Sequence, residues 1–238
     1  MNNLEQIFDH KIVAIIRGAQ PTDVLKMAEA LYAGGIRLME VTLNSPGALE
    51  LIRELNVEME SRMLIGAGTV LNVEDASKAI DAGASFIISP VVDLPTIQFT
   101  KHNKIISIPG AFTATEIHYA FSNGADIIKV FPASSNHNYI REIRGPLPHI
   151  PLMPTGGITA DNIGEFVKAG AVAFGIGSAL VDTKKPASVE HLKQIMETGE
   201  IITTEGQPAG RARGTSWKYD QAVRRQVDSR PDYQTSAA

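Results

Sequence analysis

A lysine sits inside the aliphatic run Ile127-Ile128-Lys129-Val130-Phe131-Pro132, with apolar neighbours on both sides. Burial penalises an ammonium and favours the neutral amine, whose lone pair attacks a carbonyl carbon. Lys129 is therefore a candidate Schiff-base nucleophile. A lysine that snorkels to the end of its strand, or pairs with an acid structurally, would leave the same pattern. A second charge, Glu40, is embedded in Leu38-Met39-Glu40-Val41-Thr42-Leu43. Close to the amine, this carboxylate could move protons through carbinolamine formation, dehydration and carbon–carbon cleavage. As a plain partner of Lys129 or Arg17 it would do no chemistry. Arg17 follows Ile12-Val13-Ala14-Ile15-Ile16, where a guanidinium could grip a carboxylate through two parallel hydrogen bonds or simply face solvent from a loop.

Two glycine-rich segments offer a different chemistry. Thr155-Gly156-Gly157-Ile158 precedes a helix expected to open near Thr159-Ala160-Asp161-Asn162, and Gly175-Ile176-Gly177-Ser178-Ala179-Leu180 closes a later aliphatic run. Bared backbone N–H groups beside a helix N-terminus bind anions, so a phosphate is expected at these two segments; tight turns without a ligand are the alternative. Gly66-Ala67-Gly68-Thr69 looks superficially like a dinucleotide loop, but no G-x-G-x-x-G follows, and that reading is rejected. The six histidines, His10, His102, His118, His137, His149 and His191, lack metal-ligand spacing and read as surface or loop residues, so no metal is expected. No Ser-His-Asp arrangement or G-x-S-x-G elbow competes with the lysine.

These residues need a scaffold, and the chain alternates strands with helices. Eight β-rich runs occur: Ile12–Ile16, Leu38–Thr42, Met63–Ile65, Phe86–Ile88, Ile105–Ile108, Ile127–Phe131, Leu152–Pro154 and Val172–Ile176. Most are continuously apolar, as parallel strands covered on both faces should be. Between them lie amphipathic stretches such as Asp23–Tyr32 and Glu74–Ala82. Ala33-Gly34-Gly35, Ala82-Gly83-Ala84, Asn123-Gly124-Ala125 and Ala169-Gly170-Ala171 recur before strands, as left-handed helix caps do. Eight strand–helix units in about 200 residues predict an α/β fold, a single (β/α)₈ TIM barrel spanning 1–202, better than a doubly wound sheet. The active site then falls at the carboxyl ends of the strands, marked by Arg17, Glu40, Thr69, Ser89, Lys129, Thr155 and Ser178, with Pro109-Gly110 ending the fifth.

Composition sets the outer bounds. With 238 residues, 44% hydrophobic and 20% charged, the chain is of ordinary globular type. The absence of cysteine excludes disulfide scaffolds, thiolate metal sites and cysteine nucleophiles, and fits a reducing, cytoplasmic setting. No apolar run reaches the roughly 18 residues of a membrane helix, and Met1-Asn2-Asn3-Leu4-Glu5-Gln6 lacks the features of a signal peptide. Neither a membrane nor a nucleic acid is an expected partner, since the net charge is −4. The polar segment 203–238 reverses this sign, with six basic against four acidic residues. It is read as a C-terminal extension, either disordered or packed on another surface through Trp217, Tyr219 and Tyr233.

Six segments together resemble one family in order along the chain. They are Leu38-Met39-Glu40-Val41-Thr42, Gly66-Ala67-Gly68-Thr69-Val70-Leu71, Ile88-Ser89-Pro90, Ile108-Pro109-Gly110, Ile128-Lys129-Val130-Phe131-Pro132-Ala133 and Pro154-Thr155-Gly156-Gly157-Ile158. The chain from Lys11 to Val181 is similar to the class I 2-keto-3-deoxy-6-phosphogluconate aldolases. That family includes 4-hydroxy-2-oxoglutarate and 2-keto-3-deoxy-6-phosphogalactonate aldolases. The resemblance implies a lyase that cleaves a phosphorylated keto acid to pyruvate and glyceraldehyde 3-phosphate, or 4-hydroxy-2-oxoglutarate to pyruvate and glyoxylate, with no cofactor. It implies that Lys129 forms the Schiff base and Glu40 acts as general acid–base. Thr69, Pro90, Phe131 and Thr155 would contact substrate, and Gly156, Gly157, Gly177 and Ser178 would hold the phosphate. Some members carry an arginine where this chain has Asn44; others have asparagine there and an arginine ending the first strand, which assigns the carboxylate clamp to Arg17. Asn44-Ser45-Pro46 therefore keeps the galactonate epimer open. A homotrimer is the implied assembly, with Trp217 and Tyr219 packing on a neighbouring subunit. A sugar-phosphate isomerase or epimerase, or a non-catalytic sugar-phosphate sensor, is the alternative.

Overall fold

The structure is a computed structural model that describes residues 2–134 and 136–207. A first helix, α1 (Asn3–His10), opens with a reciprocal capping box between Asn2 and Glu5. The sequence assigned no element here, although Asn2 and Glu5 carry the signal. Strands and helices then alternate: β1 (Ile12–Ile16), α2 (Pro21–Ala33), β2 (Leu38–Thr42), α3 (Ala48–Glu58), β3 (Leu64–Gly68), α4 (Val73–Asp81), β4 (Phe86–Ile88), α5 (Leu94–His102), β5 (Ile106–Ile108), β6 (Gly110–Ala111), α6 (Ala114–Ser122), β7 (Ile128–Val130), α7 (His137–Arg144), β8 (Leu152–Pro154), α8 (Ile163–Lys168), β9 (Phe174–Ile176) and α9 (Val189–Glu205).

Every expected aliphatic run carries a strand, and every pairing is parallel. The strands form a curled, parallel α/β arrangement, but the hydrogen bonds divide into a six-stranded sheet, β5-β4-β3-β2-β1-β9, and a three-stranded one, β6-β7-β8. This departs from the expected uninterrupted eight-stranded barrel. Pro109, which has no N–H to donate, separates β5 from β6. At the other junction a single parallel bridge joins Thr155 to Gly175.

Because successive side chains in a strand alternate faces, the buried residues divide into two cores. Ile12, Ala14 and Ile16 of β1, Met39 and Val41 of β2, and Ile128 and Val130 of β7 pack in the layer beneath the helices. Val13, Leu38, Leu64, Phe86, Ile106, Ile127 and Met153 form a second cluster on the inner face, closed off by Leu4, Ile7 and Phe8 of α1. Glu40 shares its parity with Leu38, and Lys129 shares its parity with Ile127. Both charges therefore belong to the inner face.

The four recurring helix-end phrases do carry left-handed glycines, Gly35, Gly83, Gly124 and Gly170. At Ala33-Gly34-Gly35 the second glycine takes the positive φ, while Gly34 lets α9 approach: a methyl group on it would lie 2.5 Å from the Met196 carbonyl oxygen. Helix α9 continues to Glu205, past the boundary expected at Ile202. The expectations for Trp217, Tyr219 and Tyr233 lie outside the described residues. Among the described residues, no helix is long and apolar enough to cross a membrane.

Candidate active site

Lys129 is 5% exposed in the middle of β7. Its N–H donates to the Pro109 carbonyl at 2.9 Å, and in register it faces Gly110 on one side and Met153 on the other. The Phe131 ring lies beyond it at the strand's carboxyl end, its centroid 5.2 Å from Lys129 Nζ. Phe131 is 38% exposed, so its ring reaches from beside the buried amine to solvent. Pro90 comes against the same strands, because Gly110 has no side chain: a methyl group there would lie 2.8 Å from Pro90 Cα.

Glu40 is 1% exposed, and neither carboxylate oxygen has a hydrogen-bond partner among the described residues. A buried acceptor without a donor is costly. Burial pushes the Glu40 carboxyl above the ordinary carboxylate range, while the Lys129 and Arg17 charges pull the other way. These opposing charges put the acid, the amine and the guanidinium in one electrostatic unit. Arg17 itself is exposed, just past the end of β1, on the same parity as Ile15, which pairs with Glu40.

Room on the inner face comes from two glycines, Gly66 and Gly68, which the sequence showed both in a rejected dinucleotide loop and in one of the family-like segments. Gly66 faces Glu40 across the β2–β3 ladder. A methyl group on Gly66 would overlap the Phe86 ring, and one on Gly68 would overlap Glu40 Oε1. Glycines two apart in a strand clear one face, and that spacing was the available signal. Thr69 follows, half-buried, in a segment pinned by Leu43 N–H donating to the Gly68 carbonyl and Val70 N–H donating to the Ile88 carbonyl. Ser89, another strand-end candidate, is buried and its hydroxyl accepts from Val91 N–H at 3.2 Å, so it shapes its loop.

Thr155 is buried at the end of β8, and its hydroxyl fills the space left by Gly175. Gly156 and Gly157 both have positive φ, and a Cβ on Gly156 would lie 3.7 Å from the Phe131 ring. This glycine loop therefore borders the Phe131 ring beside Lys129. Helix α8 opens at Ile163, later than expected, because Asn162 turns its side chain back: it accepts from Thr159 N–H at 2.9 Å and donates to the Gly157 carbonyl at 2.7 Å. After β9, the Gly177 carbonyl accepts from Leu180 and Val181 N–H, making one tight turn. Ser178 is exposed on that turn, and Asn44 is exposed after β2. The Thr155–Gly175 bridge makes the two glycine loops leave adjacent strand ends.

The histidines differ in part from their expectation. His191 is buried in the first turn of α9, with Nδ1 3.1 Å from the Pro186 carbonyl oxygen, and His10, His102, His118 and His137 lie on helices. A histidine with an apolar edge and one backbone partner packs well at a helix start, which spacing alone does not reveal. Among the described residues, no group of three or more His, Asp or Glu side chains could hold a metal ion.

Known proteins resemble this chain in sequence and in fold. The family model for KDPG and KHG aldolase matches residues 4–197. The chain is 32% identical over 209 residues to the 2-dehydro-3-deoxy-phosphogluconate aldolase of Pseudomonas aeruginosa, covering 82% of this chain and 94% of that protein. It is also 32% identical to the 2-dehydro-3-deoxy-6-phosphogalactonate aldolase of Escherichia coli K12, covering 71% and 83%. The fold matches the crystal structure of KDPG aldolase from Legionella pneumophila, with a TM-score of 0.77, 29% identity, and 84% and 98% of the two chains covered. That protein was captured with pyruvate at low pH as a covalent carbinolamine intermediate.

Proposed function

Because this chain belongs to the KDPG and KHG aldolase family and is an aldolase, a lyase, we propose that it cleaves 2-keto-3-deoxy-6-phosphogluconate to pyruvate and glyceraldehyde 3-phosphate, with Lys129 as nucleophile. The observation that carries this reading is the buried, unpartnered Glu40 carboxylate on the same inner face as Lys129, electrostatically joined to it and to Arg17.

The Lys129 amine adds to the C2 carbonyl to give a carbinolamine, which loses water to leave an iminium. Glu40 takes the proton of the C4 hydroxyl. The C3–C4 bonding pair moves into the iminium, releasing the aldehyde and leaving an enamine. Glu40 returns the proton to C3, and water hydrolyses the iminium to pyruvate and free Lys129. An acid raised above its ordinary range and within the field of two cations is suited to accept and return a proton within one turnover. Arg17 grips the carboxylate, Thr69, Pro90, Phe131 and Thr155 surround the pyruvyl end, and the loops at Gly156, Gly157, Gly177 and Ser178 hold the phosphate, away from the bond that breaks. No cofactor enters these steps.

A second reading, the galactonate epimer, is favoured by one feature: Asn44 stands where an arginine would otherwise compete with Arg17. Cleavage of 4-hydroxy-2-oxoglutarate to pyruvate and glyoxylate needs only the inner part of the site. We further read the two sheets as one eight-stranded barrel, joined at Pro109 and at the Thr155–Gly175 bridge, with the polar segment after α9 an extension to it. By family likeness the assembly is a homotrimer, and the cysteine-free composition suits the cytoplasm.

Borohydride reduction in the presence of pyruvate, with peptide mapping, tests the nucleophile: a stable three-carbon adduct is expected on Lys129. Pyruvate release from each pure epimer then ranks the substrates. Conversion of the substrate with neither pyruvate release nor a borohydride-stable adduct would instead fit an isomerase-type barrel in which Glu40 is the base.

A further inference from the structure

Arg17 leaves the end of β1 on a turn rather than in a ladder, because Gly18 follows at φ +68 with open space where a side chain would be. An exposed arginine on such a turn has many conformations open to it, and ordering it on substrate costs entropy. Its peptide is nevertheless held from both sides. The Thr183 hydroxyl, from the segment after β9, donates to the Arg17 carbonyl at 2.6 Å. The Gly18 N–H donates to Ser45 Oγ at 2.8 Å. Ser45 Oγ in turn shares a 2.9 Å hydrogen bond with Thr42 Oγ1, and both hydroxyls are buried, at 8% and 0% exposure. Thr42 has the same parity as Leu38 and Glu40, so it is the next inner-face residue of β2 beyond Glu40. A continuous chain of bonds therefore links the Arg17 turn to the strand that carries the acid, and a second bond ties the same turn to the loop after β9.

We propose that Ser45 and Thr183 are positioning residues for Arg17: they pre-order the turn so that its guanidinium meets the carboxylate of a 2-keto acid without paying the ordering cost at binding. This rests on the reading that Lys129 forms a Schiff base with that keto acid. The brace acts on carboxylate binding, and neither hydroxyl touches the reacting carbons.

The test uses pyruvate, which has the carboxylate and no phosphate, and follows the rate of borohydride labelling of the full-length protein against pyruvate concentration. In Ser45→Ala and in Thr183→Val the half-saturating pyruvate rises about five- to tenfold, the worth of one net hydrogen bond, while the saturated labelling rate stays within about twofold. Thr183→Ser, which keeps the hydroxyl, restores the wild-type half-saturation. In an Arg17→Met background, whose own half-saturation is higher still, adding Thr183→Val has no further effect, because residues acting through one group are not additive. An unchanged half-saturation in both hydroxyl deletions overturns the brace. So does an undiminished effect of Thr183→Val without Arg17, or a Thr183→Ser variant as weak as the valine. Absence of any label on the wild-type protein is a different result, which overturns the Schiff-base reading and this inference together.

Discussion

Two buried acids lie at opposite ends of the parallel strands, and each has a lysine for company. Asp126, just before β7, is fully buried; it is held by Lys101 Nζ at 2.8 and 2.9 Å and accepts from Ser107 N–H at 2.8 Å. Glu40, on β2, has Lys129 and Arg17 in its field, yet neither of its oxygens accepts a hydrogen bond among the described residues. The first acid is satisfied, tying α5 to β5 and the start of β7. The second is left unsatisfied at the carboxyl side, where parallel α/β sheets bind ligands. In the proposed mechanism the same residue types thus serve stability at one end and chemistry at the other, and hydrogen-bond satisfaction, not burial or charge, separates them.

That contrast can be broken by mutation. The largest effects fall at the unsatisfied end: Lys129→Ala lowers kcat/KM for aldol cleavage by about 10⁴-fold or more and removes the borohydride adduct, as loss of a nucleophile does. Glu40→Gln lowers kcat by about 10²- to 10⁴-fold. Steady-state assays on either epimer decide this, and a Glu40→Gln enzyme of near-normal kcat would make the acid a bystander.

At the satisfied end, Lys101→Met leaves Asp126 buried without its ammonium and costs about 3 kcal/mol of stability in urea unfolding. The kcat of the remaining folded enzyme is expected to be unchanged; a fall in kcat without a fall in stability would erase the distinction between the two ends.

A smaller effect sharpens the geometry. Gly68→Ala drives a methyl group into Glu40 Oε1 and should reduce kcat about tenfold by displacing the carboxylate, for about 1–3 kcal/mol of overpacking. Wild-type kcat in this variant would mean that Glu40 works from another position.

The finest comparison is of pH dependence. Folding raises Glu40 above its unfolded value, so across that window the native state binds more protons than the unfolded one. Its contribution to stability is present below the ordinary carboxylate range and is lost as pH rises through the raised value. Glu40→Gln has no such loss, so its stability relative to wild type should climb with pH over the same window. Parallel stability curves for the two proteins would show that burial does not shift this acid.

How far the residues themselves announced this can be read at particular positions. Lys129 and Glu40 stood out because a charge in an aliphatic strand is rare, and the continuous apolar runs located every strand but the short β6, Gly110–Ala111. Gly66 and Gly68 stood out as part of a family-like segment but without a purpose, since what they make room for, the Phe86 ring and the Glu40 carboxylate, comes from other strands. Ser45 and Thr183 gave no signal at all. A serine and a threonine in polar loops are common, and Thr183 meets Arg17 only because β9 pairs beside β1.

The sequence by itself determined the alternation of strand and helix, the helix-end glycines and the two candidate reacting groups, because these follow from local periodicity and from single residues out of keeping with their surroundings. Only the tertiary structure decided that Glu40 and Lys129 share the inner face, that one acid is satisfied and the other is not, and how the Arg17 turn is held. Those outcomes depend on which strands become neighbours and on distances between residues far apart in the chain, and a one-dimensional pattern of residue types does not contain them.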